Sequence, residues 1–458
     1  MTTPSTVILH LSDIHFAKPT RGADVYDLDE DLRNELEIDA LDVKAKSLGH
    51  VDVIIVTGDV VFSGQEPQYN LVGEWLKRLA EKLNCPADRV WIVPGNHDVD
   101  WAQVDLSVSL AHQRLRSIEG RKLNEEFTAC LLDPRVGETL FRPMRAYLDF
   151  AKRFHCDFSQ EQPFWEKDLL LNDGSTLRVR GLTSIFVSDR GDVEGQMVLG
   201  SAPATLHRTP DVEYMVLSHH PIDWFRDREE IEDLLVSRGR ILLFGHKHRQ
   251  RIRRADDSVV LTAGAVHPYR AERRWQPRYN YVSVSVSGSP AERNLQVEVF
   301  PRVWGDESRR FEPEAFKGQF SRRYTFELPP RTLGVIPPHT GVREPVATQA
   351  VSSDTAVIMS MALEAVAGTA REKNVMDAAL KLADRFWRLP YHLRARILRQ
   401  LGLIEDGEKS LPEEEKVVLA FRRARERDQL EAVRAAVEEY SGPTGEPNSK
   451  AGVAGLGG

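Results

Sequence analysis

The sequence predicts an α/β domain that closes in a more antiparallel section, followed by a small all-α domain. Three observations predict it. From residue 7 to about residue 328, short apolar runs alternate with helical or irregular stretches, as strands do in a sheet covered by helices. Near the end of that region, residues 281–286 and 295–300 alternate apolar with polar side chains, which suits half-exposed antiparallel strands. Beyond residue 355 the strand pattern stops and only helical periodicity remains.

The strands read in order as residues 7–11, 53–56, 90–93, 177–179, 214–217, 241–244 and 259–261, then the two alternating runs. Residues 101–164 form a long, mostly helical excursion between strands, read as an insertion or lid. The first domain is thus assigned to residues 1–328. Residues 329–354 carry Pro329, Pro330, Pro337, Pro338 and Pro345 with little hydrophobic periodicity, and read as a linker. In residues 355–441, Met376, Leu380, Ala383 and Trp387 share one helical face, as do Leu430, Val433, Val437 and Tyr440. Ser410 and Glu413 have capping-box spacing. This is a helical bundle, an interaction or adaptor module without a catalytic pattern. The glycine-rich tail, residues 442–458, reads as disordered.

Composition excludes several classes. Of the residues, 41% are hydrophobic and 28% charged, a soluble globular balance. No apolar stretch approaches the roughly 20 residues that span a bilayer, and no secretory signal is visible. Cys85, Cys130 and Cys156 are odd in number and far apart, which argues against a disulfide framework and a thiolate metal site. A reducing, cytoplasmic setting follows. The net charge of −8 confines any polyanion-binding surface to a local patch.

Five strands end in polar, metal-competent residues. The first leads into Asp13 and His15, the second into Gly58 and Asp59, and the third into Gly95, Asn96, His97 and Asp98. The runs at 214–217 and 241–244 lead into His219–His220 and into Gly245, His246 and His248. Ligands of open α/β sheets gather beyond the carboxyl ends of the strands, so these residues converge although far apart in sequence. Each pair alone could be a turn; together they point to a metal site. Oxygen and imidazole donors without thiolate suit Mn²⁺ first, with Fe or Zn²⁺ as alternatives.

In this order the motifs resemble the five-part signature of the calcineurin-like metallophosphoesterases, over residues 5–270. The resemblance implies a four-layer β-sandwich flanked by helices. It implies two divalent metals, one held by Asp13, His15 and His248, the other by Asn96, His219 and His246, with Asp59 bridging. Two such metals about 3.5–4 Å apart bind the attacking and leaving oxygens of an in-line phosphoryl displacement and activate a bridging water. His97 would then protonate or stabilise the leaving oxygen, with Asp98 orienting its ring. His220 could support a ligand or be purely structural, and His267 could touch substrate or be a turn residue. Downstream of Asp59 this sequence carries the apolar Val60, Val61 and Phe62.

From Lys247 to Arg278 there are nine basic and three acidic residues, a local net of +6, interleaved with Tyr269, Trp275 and Tyr279. Arg251, Arg253, Arg273 and Arg274 suit the phosphates of a nucleic acid or nucleotide, with bases stacking on the rings. They equally suit a solvated hairpin paired with acidic faces. The cluster tilts the expectation toward a phosphodiesterase or nuclease. A protein or small-molecule phosphomonoesterase is the alternative, and a catalytically silent scaffold is an alternative of another class. Arg422, Arg423, Arg425 and Arg427 read as a solvated helix face. The helical domain weakly resembles adaptor domains of bacterial conflict-system effectors, which implies a protein partner.

Overall fold

The computed structural model describes residues 5–16, 28–268, 276–331, 391–404 and 429–440, with Leu382, Phe386, Leu389, Ala420, Arg423, Ala424 and Arg427 besides. The chain divides into two compact units, residues 1–104 with 110–334, and residues 335–458 with the short stretch 105–109.

The first unit contains two sheets. One consists of β1 (Thr6–Leu11), β2 (Val53–Thr57), β3 (Val90–Val93), β10 (Arg278–Ser289), β11 (Glu292–Gly305), β12 (Arg310–Pro313) and β13 (Arg322–Leu328). Its order is β12-β11-β10-β1-β2-β3, with β13 also paired to β11. The other consists of β4 (Phe164–Leu170), β5 (Thr176–Leu182), β6 (Val212–Ser218), β7 (Gly239–Phe244), β8 (Arg251–Ala255) and β9 (Ser258–Thr262), in the order β4-β5-β6-β7-β9-β8. In the first sheet β1, β2 and β3 run parallel, and in the second so do β5, β6, β7 and β9. Every residue of β1, β2 and β3 is buried, the pattern of strands covered on both faces. One hydrophobic core joins both sheets, and the Trp165 indole N–H of β4 donates to the Ile92 carbonyl of β3 at 3.0 Å.

Helices α1 (Leu28–Val43), α2 (Glu66–Lys82), α7 (Ser201–Ala204) and α8 (Arg228–Val236) flank the sheets. The excursion after β3 is helical, with α3 (Leu106–Ser117), α4 (Arg121–Leu132), α5 (Pro134–Phe141) and α6 (Arg145–Ala151). α5 starts where it does because Asp133 accepts from the Arg135 and Val136 N–H groups, both at 2.8 Å, with Pro134 in the first turn. Phe164 opens β4. Four strands, β4, β8, β12 and β13, were not expected.

The second unit contains α9 (Tyr391–Gln400) and α10 (Leu430–Tyr440) with its own core, in which Phe386, Ile397, Val433 and Val437 are fully buried. Met376, Leu380, Ala383, Trp387, the Ser410–Glu413 cap, Arg422, Arg425, the linker beyond Arg331 and the tail lie outside the described residues. Among the described residues no helix is long and apolar enough to cross a membrane.

Candidate metal centre

The chemistry-bearing residues sit at the carboxyl ends of β1, β2, β3, β6 and β7, where the two sheets meet. Three glycines permit the close approach. A Cβ on Gly95 would lie 2.2 Å from Asp59 Oδ1, on Gly58 2.4 Å from His219 Nδ1, and on Gly245 2.3 Å from Ser12 Oγ. Asp13, His15, Asp59, His246 and His248 all adopt left-handed backbone, with φ from 48° to 70°. Non-glycine residues rarely do so, and such outliers cluster where geometry serves a site.

Two groups of donors converge. In one, His15 Nε2 is 3.2 Å from His248 Nε2, and His248 Nε2 is 3.2 Å from Asp13 Oδ1. In the other, the Nδ1 of His219 meets the Thr57 carbonyl at 2.9 Å, which turns Nε2 toward Asn96 Oδ1 at 3.0 Å and His246 Nδ1 at 3.3 Å. Asp59 lies between them: its Oδ2 is 3.3 Å from His219 Nε2 and 3.9 Å from His15 Nε2, while Oδ1 accepts from the His97 N–H at 2.8 Å. Asp13, His15, Asp59 and His248 form one metal-capable group, and His219, His220 and His246 another.

Burial pushes the His15 and His246 imidazoles down to about 3, so both are neutral with a lone pair to give. Burial alone would raise Asp13, but His248 beside it draws the carboxyl down to about 2. Asp59 likewise lies well below its usual range: burial opposes ionisation, and His219 overcomes it. Burial opposes the charge of His219 too, yet Asp59 raises it to about 9. With the Nε2 proton of His219 displaced on binding, these converging nitrogens and carboxylate oxygens form a donor set that fits divalent cations.

Not every expectation holds at the level of contacts. Asp98 does not orient His97. Its carboxylate is wholly buried and accepts from the N–H groups of Gly95 (2.8 Å), Val60 (3.1 Å) and Val61 (3.2 Å), and from the Tyr69 hydroxyl (3.2 Å). The group that meets His97 Nδ1 is the Phe62 carbonyl, at 2.9 Å. The ring centres of Phe62 and Trp101 lie 5.5 and 5.4 Å from that of His97. His220 is fully buried, with Nδ1 at 2.9 Å from Ser184 Oγ and its ring stacked on Trp224. His267 joins the centre through its backbone, its N–H donating to the Asp13 carbonyl at 3.0 Å. Lys247 turns to Asp223. Arg251 and Arg253 are exposed on β8, an edge strand; Arg273, Arg274, Tyr269 and Trp275 lie outside the described residues. Tyr279 offers no stacking surface, being 1% exposed with its hydroxyl on Asp39 at 2.5 Å.

Sequence reasoning missed Ser12, whose hydroxyl donates to Asp13 Oδ2 at 2.5 Å, and Trp224, whose ring centre is 3.9 Å from that of His246. Ser12 adjoins Asp13, the one signal that could have found it.

Residues 6–250 match the family model of the calcineurin-like phosphoesterases. The chain belongs to that family. Two buried sheets flanked by helices are the fold expected of a calcineurin-like phosphoesterase. Residues 380–439 match the model of the GTPase-associated adaptor domain, in keeping with the expected adaptor module. Among solved structures, the phosphoesterase is similar to vacuolar protein sorting 29 from Cryptosporidium parvum, at 12% identity, covering 71% of this chain and 98% of that one, with a TM-score of 0.29. The same protein from Chaetomium thermophilum has 11% identity, coverages of 71% and 100%, and a TM-score of 0.28. An archaeal phosphodiesterase has 12% identity, coverages of 70% and 100%, and a TM-score of 0.26. No curated protein matches the sequence.

Proposed function

We propose that this calcineurin-like phosphoesterase is a dinuclear metal-dependent phosphodiesterase acting on nucleic acid or nucleotides. The observation that carries the reading is Asp59, whose carboxylate stands between two groups of converging basic donors. Asp13, His15 and His248 would hold one cation, Asn96, His219 and His246 the other, and Asp59 both. When bound, the pair would supply Lewis acidity to the oxygens of a phosphoryl group in transfer. Mn²⁺ suits these nitrogen and oxygen donors.

The chain's own residues do the rest. The Phe62 carbonyl meets His97 Nδ1, so a proton exchanged with the leaving oxygen would pass through Nε2. Thr57 fixes His219 through Nδ1 and keeps Nε2 inward. Asp98 acts through structure: it clamps the loops that present Asp59 and Asn96. The exposed Arg251 and Arg253 favour a diester within a polyanion over a small phosphomonoester. The adaptor-like module would bring a protein partner. A cytoplasmic setting fits the buried thiols of Cys85, Cys130 and Cys156, all unbridged.

A substrate panel with Mn²⁺ tests the reading, using chromogenic mono- and diesters, cyclic nucleotides, and single- and double-stranded DNA and RNA. Diester cleavage that stops on chelation is the expected result. Release of phosphate from monoesters alone would move the function to phosphomonoesterase, and no turnover anywhere would make it a scaffold.

A further inference from the structure

Beyond the metal centre, two exposed features meet at the free edge of the second sheet. β8 is the last strand of that sheet and begins three residues after His248. Arg249, Arg251 and Arg253 are exposed, and no carboxylate among the described residues pairs with them. Arg251 and Arg253 project from one face of the strand about 6.6–6.8 Å apart, as strand geometry requires. Arg254 is separately engaged, its guanidinium 4.9 Å from the centre of the Phe326 ring.

The second feature is the turn between β12 and β13. Phe316 and Phe320 are 46% and 60% exposed, unusual for large apolar rings. The turn is held by reciprocal backbone hydrogen bonds, Phe316 N–H to the Gln319 carbonyl at 2.8 Å and Gln319 N–H to the Phe316 carbonyl at 3.0 Å. Arg322 ties this turn to β8. Its Nη1 donates at 3.5 Å to the carbonyl of Ile252, between the two outward arginines, and its guanidinium lies 4.1 Å from the centre of the Phe316 ring. Gln250 also reaches Glu314 at 3.4 Å, and Arg278 neutralises that carboxylate at 2.7 Å. Arginines that no described carboxylate pairs with and two exposed aromatic rings therefore share one stretch of surface, in a chain whose net charge is −8.

We infer that the outward arginines of β8 and the Phe316–Phe320 turn form one track for a single-stranded polynucleotide, leading its backbone to the metal centre at His248. The inference deepens the function proposed above and rests on it. Guanidinium groups bind phosphate in a fixed fork, and exposed rings accept any base face. A duplex keeps its bases stacked on each other, so the rings select single strands.

The test uses the full chain with metals chelated, binding a fluorescein-labelled oligothymidylate and, separately, a duplex of mixed sequence. Arg251→Ser with Arg253→Ser should weaken oligothymidylate binding and flatten its log–log salt slope by about 0.7 per lost contact. Phe316→Ala with Phe320→Ala should weaken it by roughly 5- to 150-fold per stacked base, with the slope unchanged and duplex binding unaffected. Wild-type affinity in the phenylalanine variant, or equal losses for single strand and duplex, would overturn the track. So would a marked fall in that variant's melting temperature, which would make the rings structural. Diester hydrolysis by the wild type is read separately: its absence overturns the function proposed above, while the binding outcomes decide the track.

Discussion

Asp59 concentrates several demands in one side chain. It has left-handed backbone at φ 48°, holds the His97 N–H on one oxygen and faces two imidazoles with the other. Each left-handed non-glycine residue costs about 1–2 kcal/mol, and five of them surround one point. Asparagine tolerates the same backbone but lacks the carboxylate charge, so Asp59→Asn should abolish hydrolysis and lower metal content, read by elemental analysis of the purified protein; two metals retained at full activity would refute the bridging role. His97→Ala should keep both metals and slow hydrolysis by roughly 10²–10⁴-fold. The loss should grow with the pKa of the leaving group, because nitrophenolate needs little protonation and an alkoxide much. Equal loss across leaving groups would reduce His97 to electrostatics.

Among the elements, the loops after β2 and β3 are joined to each other and to α2 by one carboxylate. Asp98 takes two N–H groups from the first loop, one from the second, and the hydroxyl of Tyr69 on α2. Asp98→Ala would strand buried donors at about 1–3 kcal/mol each. The expected result is at least about 3 kcal/mol lost in urea unfolding, as a lower midpoint with an unchanged slope. This role was hidden in the sequence because Asp98 adjoins His97. Asn96–Asp98 form a 3₁₀ turn, which sends successive side chains about 120° apart. The strand ends were legible for the opposite reason. β1, β2, β3, β6 and β7 are apolar runs broken by glycine or polar residues, so buried strand and exposed ligand separate cleanly. β8 was not legible, since RIRRA at a sheet edge carries no apolar alternation. Tyr279 looked like a surface ring among arginines but is in the core, because β10 begins at Arg278 and β12 covers it through Phe311.

For the whole molecule, the two hydrophobic cores have no residue in common, and all the candidate ligands lie in the first unit. A ligand that binds only the folded state adds RT ln(1 + [L]/Kd), about 2.7 kcal/mol at a hundredfold excess over Kd. Calorimetry with Mn²⁺ and then with chelator should show one transition falling on metal removal while a second, from the helical unit, stays put. A single transition moving as one would mean that the units unfold together. The order of strands in the first sheet has a further consequence, for the chain as it is made. β1 lies between β2 and β10, yet Leu11 and Arg278 are separated by most of the first unit. At about 5–20 residues per second, the ribosome delivers that second neighbour on the order of tens of seconds after the first strand. Until then the nascent chain carries an apolar strand with one open edge, the template on which chains pair wrongly with one another. A chaperone that shields residues 6–11 during translation would act on that interval, before any cation has a site to enter.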